Sequence, residues 1–202
     1  MATSRLQSLV FGILRRTNTP AKDWDIRLVE GTGIDKVLAD LGRVEDIDFI
    51  CMGTNGAGTL QRMLGTNTGN VIRRSEVPVI AVPAGYRSRP VKRILYATDL
   101  TDYPNELKRV QSVARGLGAE IKVLHFLQTG EPQRLGGITY RLSDPTASLA
   151  DNLQEAARSL RPSMIVMFTD QKRSWFRRLV YPSQAERMSY NLSVPLLVMA
   201  KR

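Results

Sequence analysis

The 202-residue chain is poor in the side chains that build most catalytic and metal centres. It has one cysteine, Cys51, and one histidine, His125. No intrachain disulfide can form, and a zinc site cannot be assembled from one ligand of each kind. Any Ser-His-Asp or Cys-His catalytic set would have to use His125. No stretch approaches ~18 consecutive apolar residues, so a membrane-spanning helix is not expected. A secretory leader is not expected either: Leu6, Leu9, Val10, Ile13 and Leu14 repeat at helical spacing, but Arg15 and Arg16 follow this stripe instead of preceding it. An amphipathic core helix and a cytoplasmic location are the expectation.

Positive charge is abundant. Lys and Arg number 29 against 19 Asp and Glu, a net charge of +10. Residues 91–202 hold a net +7 of it and residues 1–90 a net +3. Such a balance suits an anionic partner or a wet surface, so its location decides its meaning. An apolar content of 43% and a charged content of 24% are ordinary for a globular protein.

Strand-like and helix-like segments alternate along the chain. Strands are expected at residues 25–30, 47–52, 79–82, 93–97, 120–126, 138–142, 164–168 and 196–199. Helices are expected between them, with Gly42 and Gly118 as stops and Asp144-Pro145 as a start. Ser183-x-x-Glu186 resembles a capping box that opens a last helix. Helices between near-continuous apolar strands indicate parallel βαβ units with the sheet covered on both faces. On that reading Cys51 is buried and unreactive. His125 ends an apolar strand, with a structural or ligand-edge role.

Two segments echo each other. IDFICM followed by VPVIAVP is matched by SMIVMF followed by VPLLVMA, and the Val77-Pro78 and Val194-Pro195 copies lie 117 residues apart. A tandem repeat is expected, with a partial copy over residues 1–86 and a complete one over 87–202, joined by a linker at 84–90. The first copy lacks a strand–helix–strand unit at its front.

After the strand at 47–52 comes a glycine-rich connection, Gly53-Thr54-Asn55-Gly56-Ala57-Gly58, then TLQRML, then Gly65-Thr66-Asn67-Thr68. Glycines let the backbone approach a ligand closely, and the free N–H groups of a helix start favour an anion such as phosphate. The alternative is a connection that only turns the chain. The run is neither a Walker A loop nor a G-x-G-x-x-G fingerprint.

The run MGTNGAGTLQRMLGTNTGNVIRRSEVPVIAVP resembles the end of a universal stress protein domain, with its Gly-x2-Gly-x9-Gly-Ser/Thr loop and final Val-Pro strand. RILYATDLTDYPNELKRVQSVARGLGAEIKVLHF resembles that family's opening strand–helix–strand. The resemblance implies an open, parallel five-stranded α/β sheet in the order 3-2-1-4-5, flanked by helices. It implies a stress-response or signalling module acting by ligand binding and dimerisation, not an enzyme. Some members bind ATP, with Mg²⁺ entering only with the nucleotide, and others bind none.

Carried over residue by residue, the phosphate side falls on Gly53, Asn55, Gly56, Gly65, Thr66, Asn67 and Thr68, and the adenosine side on Thr98 and Asp99. The loop has eight residues between Gly56 and Gly65, not nine. The second copy carries Asp99 but reads Phe168-Thr169-Asp170-Gln171 and Pro182-Ser183 where the glycine loop should stand. Neither copy holds a complete nucleotide site. A homodimer is expected through the last strands, Val79 to Val82 or Leu196 to Met199. Slow ATP hydrolysis at the 53–68 loop is one alternative. Polyanion or nucleic-acid binding through the basic second copy, including Lys172-Arg173 and Arg177-Arg178 around Trp175 and Phe176, is another. Two outcomes are open for the missing front: the chain begins inside a longer product, or the first copy rearranges or borrows strands from another chain.

Overall fold

The computed structural model describes residues 2–18, 20, 25–54, 66–127, 136–142, 149–169 and 193–201. Asn55, Gly56, Gly65, the basic-aromatic cluster at 172–178 and the capping box at 183–186 lie outside the described residues.

Two compact units are present, residues 1–32 and 33–202. The first holds helix α1 (Ala2–Thr17). Its apolar stripe is only partly covered: Leu14 is buried, while Leu9 and Ile13 are exposed. Residues 25–30, expected as a strand, have no regular structure and are mostly exposed. A unit this short buries too little apolar area to order a sheet of its own.

The second unit contains α2 (Ile34–Val44), β1 (Ile50–Gly53), α3 (Thr66–Arg74), β2 (Val79–Val82), β3 (Arg93–Ala97), α4 (Tyr103–Leu117), β4 (Glu120–Leu127), β5 (Ile138–Leu142), α5 (Leu149–Leu160), β6 (Met164–Thr169) and β7 (Leu196–Ala200). The seven strands form one sheet in the order β1-β2-β7-β6-β3-β4-β5. β3 to β7 pair in parallel with one another. Numbered within their own half, they run 3-2-1-4-5, as the resemblance implied. The sheet has seven strands because the first half adds its two.

The junction is antiparallel, with Val79 opposite Val198, Ile80 opposite Leu197 and Ala81 opposite Leu196. This corrects the expected homodimer seam. The two last strands pair with each other inside one chain, so neither keeps a free edge for a second copy. The linker at 84–90 therefore joins two halves of one sheet.

Strand periodicity builds the core on both faces. Leu95, Ala97, Ile165, Met167, Leu196 and Val198 point to one face, where they meet α3 through Val71 and Ile72 and α5 through Leu153 and Ala156. Ile94, Tyr96, Val166, Phe168, Leu197 and Met199 point to the other, against Val110 and Ala114 of α4. Each such fully buried aliphatic or aromatic side chain stabilises the fold by roughly 1.5–3 kcal/mol. Gly42 does not stop α2, which runs to Val44. A Cβ there would lie 2.8 Å from Val77 Cγ2, so its glycine allows a close approach of the chain entering β2.

β1 behaves differently. Ile50 is buried, but Cys51 and Gly53 are exposed. The expectation of a buried Cys51 thus fails. β1 is an edge strand, and among the described residues the second-face core contains no side chain of β1.

Candidate functional site

The strand directions separate the two candidate sets. β1 and β2 run opposite to β7, β6 and β3. The carboxyl end of β1, with Gly53, therefore lies at one end of the sheet, and the carboxyl end of β3, with Thr98 and Asp99, lies at the other. Three strands also stand between β1 and β3, four spacings of about 4.8 Å each. The phosphate-side and adenosine-side residues are not brought together.

At the β1 end, Gly53 has open space where a Cβ would stand. Thr54 is buried, and both its backbone N–H and its hydroxyl donate to the Val82 carbonyl, at 2.9 and 3.1 Å. α3 begins at Thr66, with Asn67 exposed and Thr68 buried. Its first turn carries no acidic residue. Arg74 in its last turn pairs with Asp35 of α2 at 2.8 Å, which ties the two helices together.

The β3 end is closed. Lys201, just past β7, places its ammonium 2.8 Å from both Asp99 oxygens, 2.6 Å from the Thr101 hydroxyl and 3.1 Å from Glu106 Oε1. The Thr101 backbone N–H and hydroxyl both donate to Asp99 Oδ1. Burial alone would push the Asp99 carboxyl up. Hydrogen bonds from Lys201 and Thr101, with the lysine charge, outweigh this and hold it below the usual carboxylate range.

Behind this pair the polar groups are tightly used. Glu106 is only 2% exposed, on the buried stripe of α4 with Val110 and Ala114. Its Oε2 accepts the Tyr96 hydroxyl and, at 3.4 Å, the Thr98 hydroxyl. Burial first, and then the Glu106 carboxylate, raise the Tyr96 phenol, so it stays a neutral donor. The Thr98 hydroxyl also accepts the Leu100 N–H at 3.0 Å. His125 is buried, with Nδ1 2.8 Å from the Thr98 carbonyl and its ring edge-on to Tyr140. Leu100 holds a positive φ of 64°, a strained conformation for a branched side chain at the loop that aims Asp99.

Sequence reasoning placed Thr98 and Asp99 here but missed Glu106 and Lys201. Glu106 left a signal, a carboxylate on the apolar stripe of an amphipathic helix. Lys201 left none, since 102 residues separate it from Asp99.

Residues 5–83 match the sequence profile of the universal stress protein family. No curated protein matches the chain in sequence. Solved structures share its fold. A universal stress protein from Archaeoglobus fulgidus is 16% identical with a TM-score of 0.60, over 98% of this chain and 77% of that one. A Pseudomonas aeruginosa protein of unknown function is 13% identical with a TM-score of 0.62, over 99% and 78%. At this identity the likeness is one of fold.

Proposed function

We propose that the chain is a universal stress protein whose work is binding in a stress response or signalling, not catalysis. It combines a partial first copy with a complete second one. The family match over residues 5–83 and the shared fold support the family reading. The antiparallel junction of the two Val-Pro strands supports the two-copy reading.

The observation that carries the binding mode is the Lys201 ammonium seated on Asp99. A carboxylate holding a ribose would have to accept from the ligand, and Oδ1 of this one already accepts from the Thr101 N–H, the Thr101 hydroxyl and Lys201. Nucleotide binding then falls to the first copy, at Gly53, Asn55, Gly56, Gly65, Thr66, Asn67 and Thr68. The acid-free first turn of α3 favours phosphate there. Mg²⁺ enters only with the nucleotide. Slow ATP hydrolysis at the same loop is the second reading, favoured by that same helix start.

Titration of labelled ATP with and without Mg²⁺ tests this. Asp99→Asn leaves the affinity unchanged, and Gly56→Glu removes whatever binding the wild type shows. A tenfold loss on Asp99→Asn contradicts the proposal. Mg²⁺-dependent phosphate release that Gly56→Glu abolishes replaces it with the second reading. With β2 and β7 internally paired, the edges left for homodimerisation by strand addition among the described strands are β1 and β5.

A further inference from the structure

A second feature lies apart from both candidate sets. At the amino ends of β3, β6 and β7, beside the end of α5, there is a cavity of about 450 Å³. That is the scale of a small-molecule pocket, larger than a single phosphate needs. Arg89, Lys92, Arg158 and Arg161 line it, with Ser163 and Ser193, and among the described residues no lining residue is acidic. None of the four cations forms an ion pair among the described residues, whereas Arg43, Arg74 and Lys201 all do.

The frame around it is rigid. The Ser163 N–H donates to the Arg93 carbonyl at 2.8 Å, and the Ser163 hydroxyl accepts the Lys92 and Arg93 N–H groups at 3.3 Å each. The four cations are not needed to neutralise the carbonyl end of α5. That end is worth about half a negative charge, and the Arg93 guanidinium already donates to the Leu160 carbonyl at 3.2 Å.

The helix endings supply an independent observation. α4 ends in Gly118, left-handed at φ 62°, where glycine carries no strain. α5 ends in the same way, but the left-handed residue is Arg161, at φ 45°. An L side chain there is strained, and glycine would relieve it. The chain instead keeps an arginine there, and exposed Arg161 is one of the residues that line the cavity.

We infer that this cavity binds a compact oligophosphate, a group of two or more adjacent phosphates. Four exposed cationic residues around one cavity suit its charge, and guanidinium forks suit its oxygens. The group could stand free or end a nucleotide, and both present the same chemistry to these residues. The inference is independent of the reading of Asp99 and of the glycine loop.

The test is calorimetric titration of the full chain with inorganic tripolyphosphate at 100 mM salt. Saturable binding is expected. Arg158→Gln and Arg161→Gly each weaken it about tenfold. Arg161→Gly does so while the melting temperature holds or rises, which separates lost contact from lost fold. Arg115→Gln, on α4, leaves binding unchanged. ADP as a second titrant distinguishes the sources: equal affinity assigns the phosphates alone, and tighter binding assigns a nucleotide, both losing affinity on Arg161→Gly. The inference is overturned by absence of saturable binding, by an equal loss in Arg115→Gln, or by a single-stranded oligonucleotide that binds more tightly and ignores Arg161→Gly.

Discussion

The two halves of the sheet use similar strands in opposite ways. In the second half, β6 is buried along all six residues and sits between β3 and β7, with core on both faces. In the first half, β1 reads almost as apolar, yet every second residue is exposed. The polar ends differ in the reverse sense. The well-covered half pairs its Asp99 with Lys201, while the sparsely covered half keeps an acid-free helix start. Core cover and an acid-free helix start are thus separate properties, and each half has one of them.

Changes at matched places should break this comparison unequally. Leu196→Ala, in the fully buried seam strand, should destabilise by about 2–5 kcal/mol in chemical denaturation. Lys201→Met should come next, at roughly 3 kcal/mol, because it leaves Asp99 and buried Glu106 without their shared cation. It should also alter the acid limb. A carboxyl held low in the fold contributes stability fully above its unfolded value of about 3.9, and that contribution fades as pH falls through the lower folded value. The wild type should therefore lose stability below about pH 4 through Asp99, and Lys201→Met should lose less of it there. A steeper acid limb in the variant would remove Lys201 from this role.

Smaller effects come from the helix endings. Gly118→Ala should destabilise by about 1 kcal/mol through backbone strain alone, since nothing crowds the added methyl. Arg161→Gly should move thermal stability the other way by a similar or smaller amount. The smallest effect belongs to Cys51→Ala, within about 0.5 kcal/mol because the side chain is exposed. The same exposure predicts that a thiol reagent labels native Cys51 without denaturant.

Much of the second half was legible in the sequence because its signals are local. Near-continuous apolar runs pointed to β3, β4, β6 and β7, and Gly118 to the stop of α4. The short β5 was also visible. The errors arose where a neighbour decides. Residues 25–30 have strand composition but no partner to pair with. Cys51 lies in an apolar strand that turned out to be an edge. Gly42 looked like a helix stop, yet Val77, 35 positions later, explains it. The last strands were expected to pair, one or the other, with a second chain; they pair with each other instead, because sequence cannot tell pairing between chains from pairing within one. Asp99 was found by its motif, but its state depends on Lys201 at the far end of the chain.

That seam is the central claim, and trapping it is the most direct test. Ile80 and Leu197 face each other across β2 and β7, and Cβ atoms of such cross-strand partners lie about 4.5–5.5 Å apart. With Cys51→Ser as background, Ile80→Cys and Leu197→Cys should oxidise to a disulfide within one chain. Non-reducing electrophoresis and intact mass should then show a monomer two hydrogens lighter. A disulfide-linked dimer would contradict the single-chain seam.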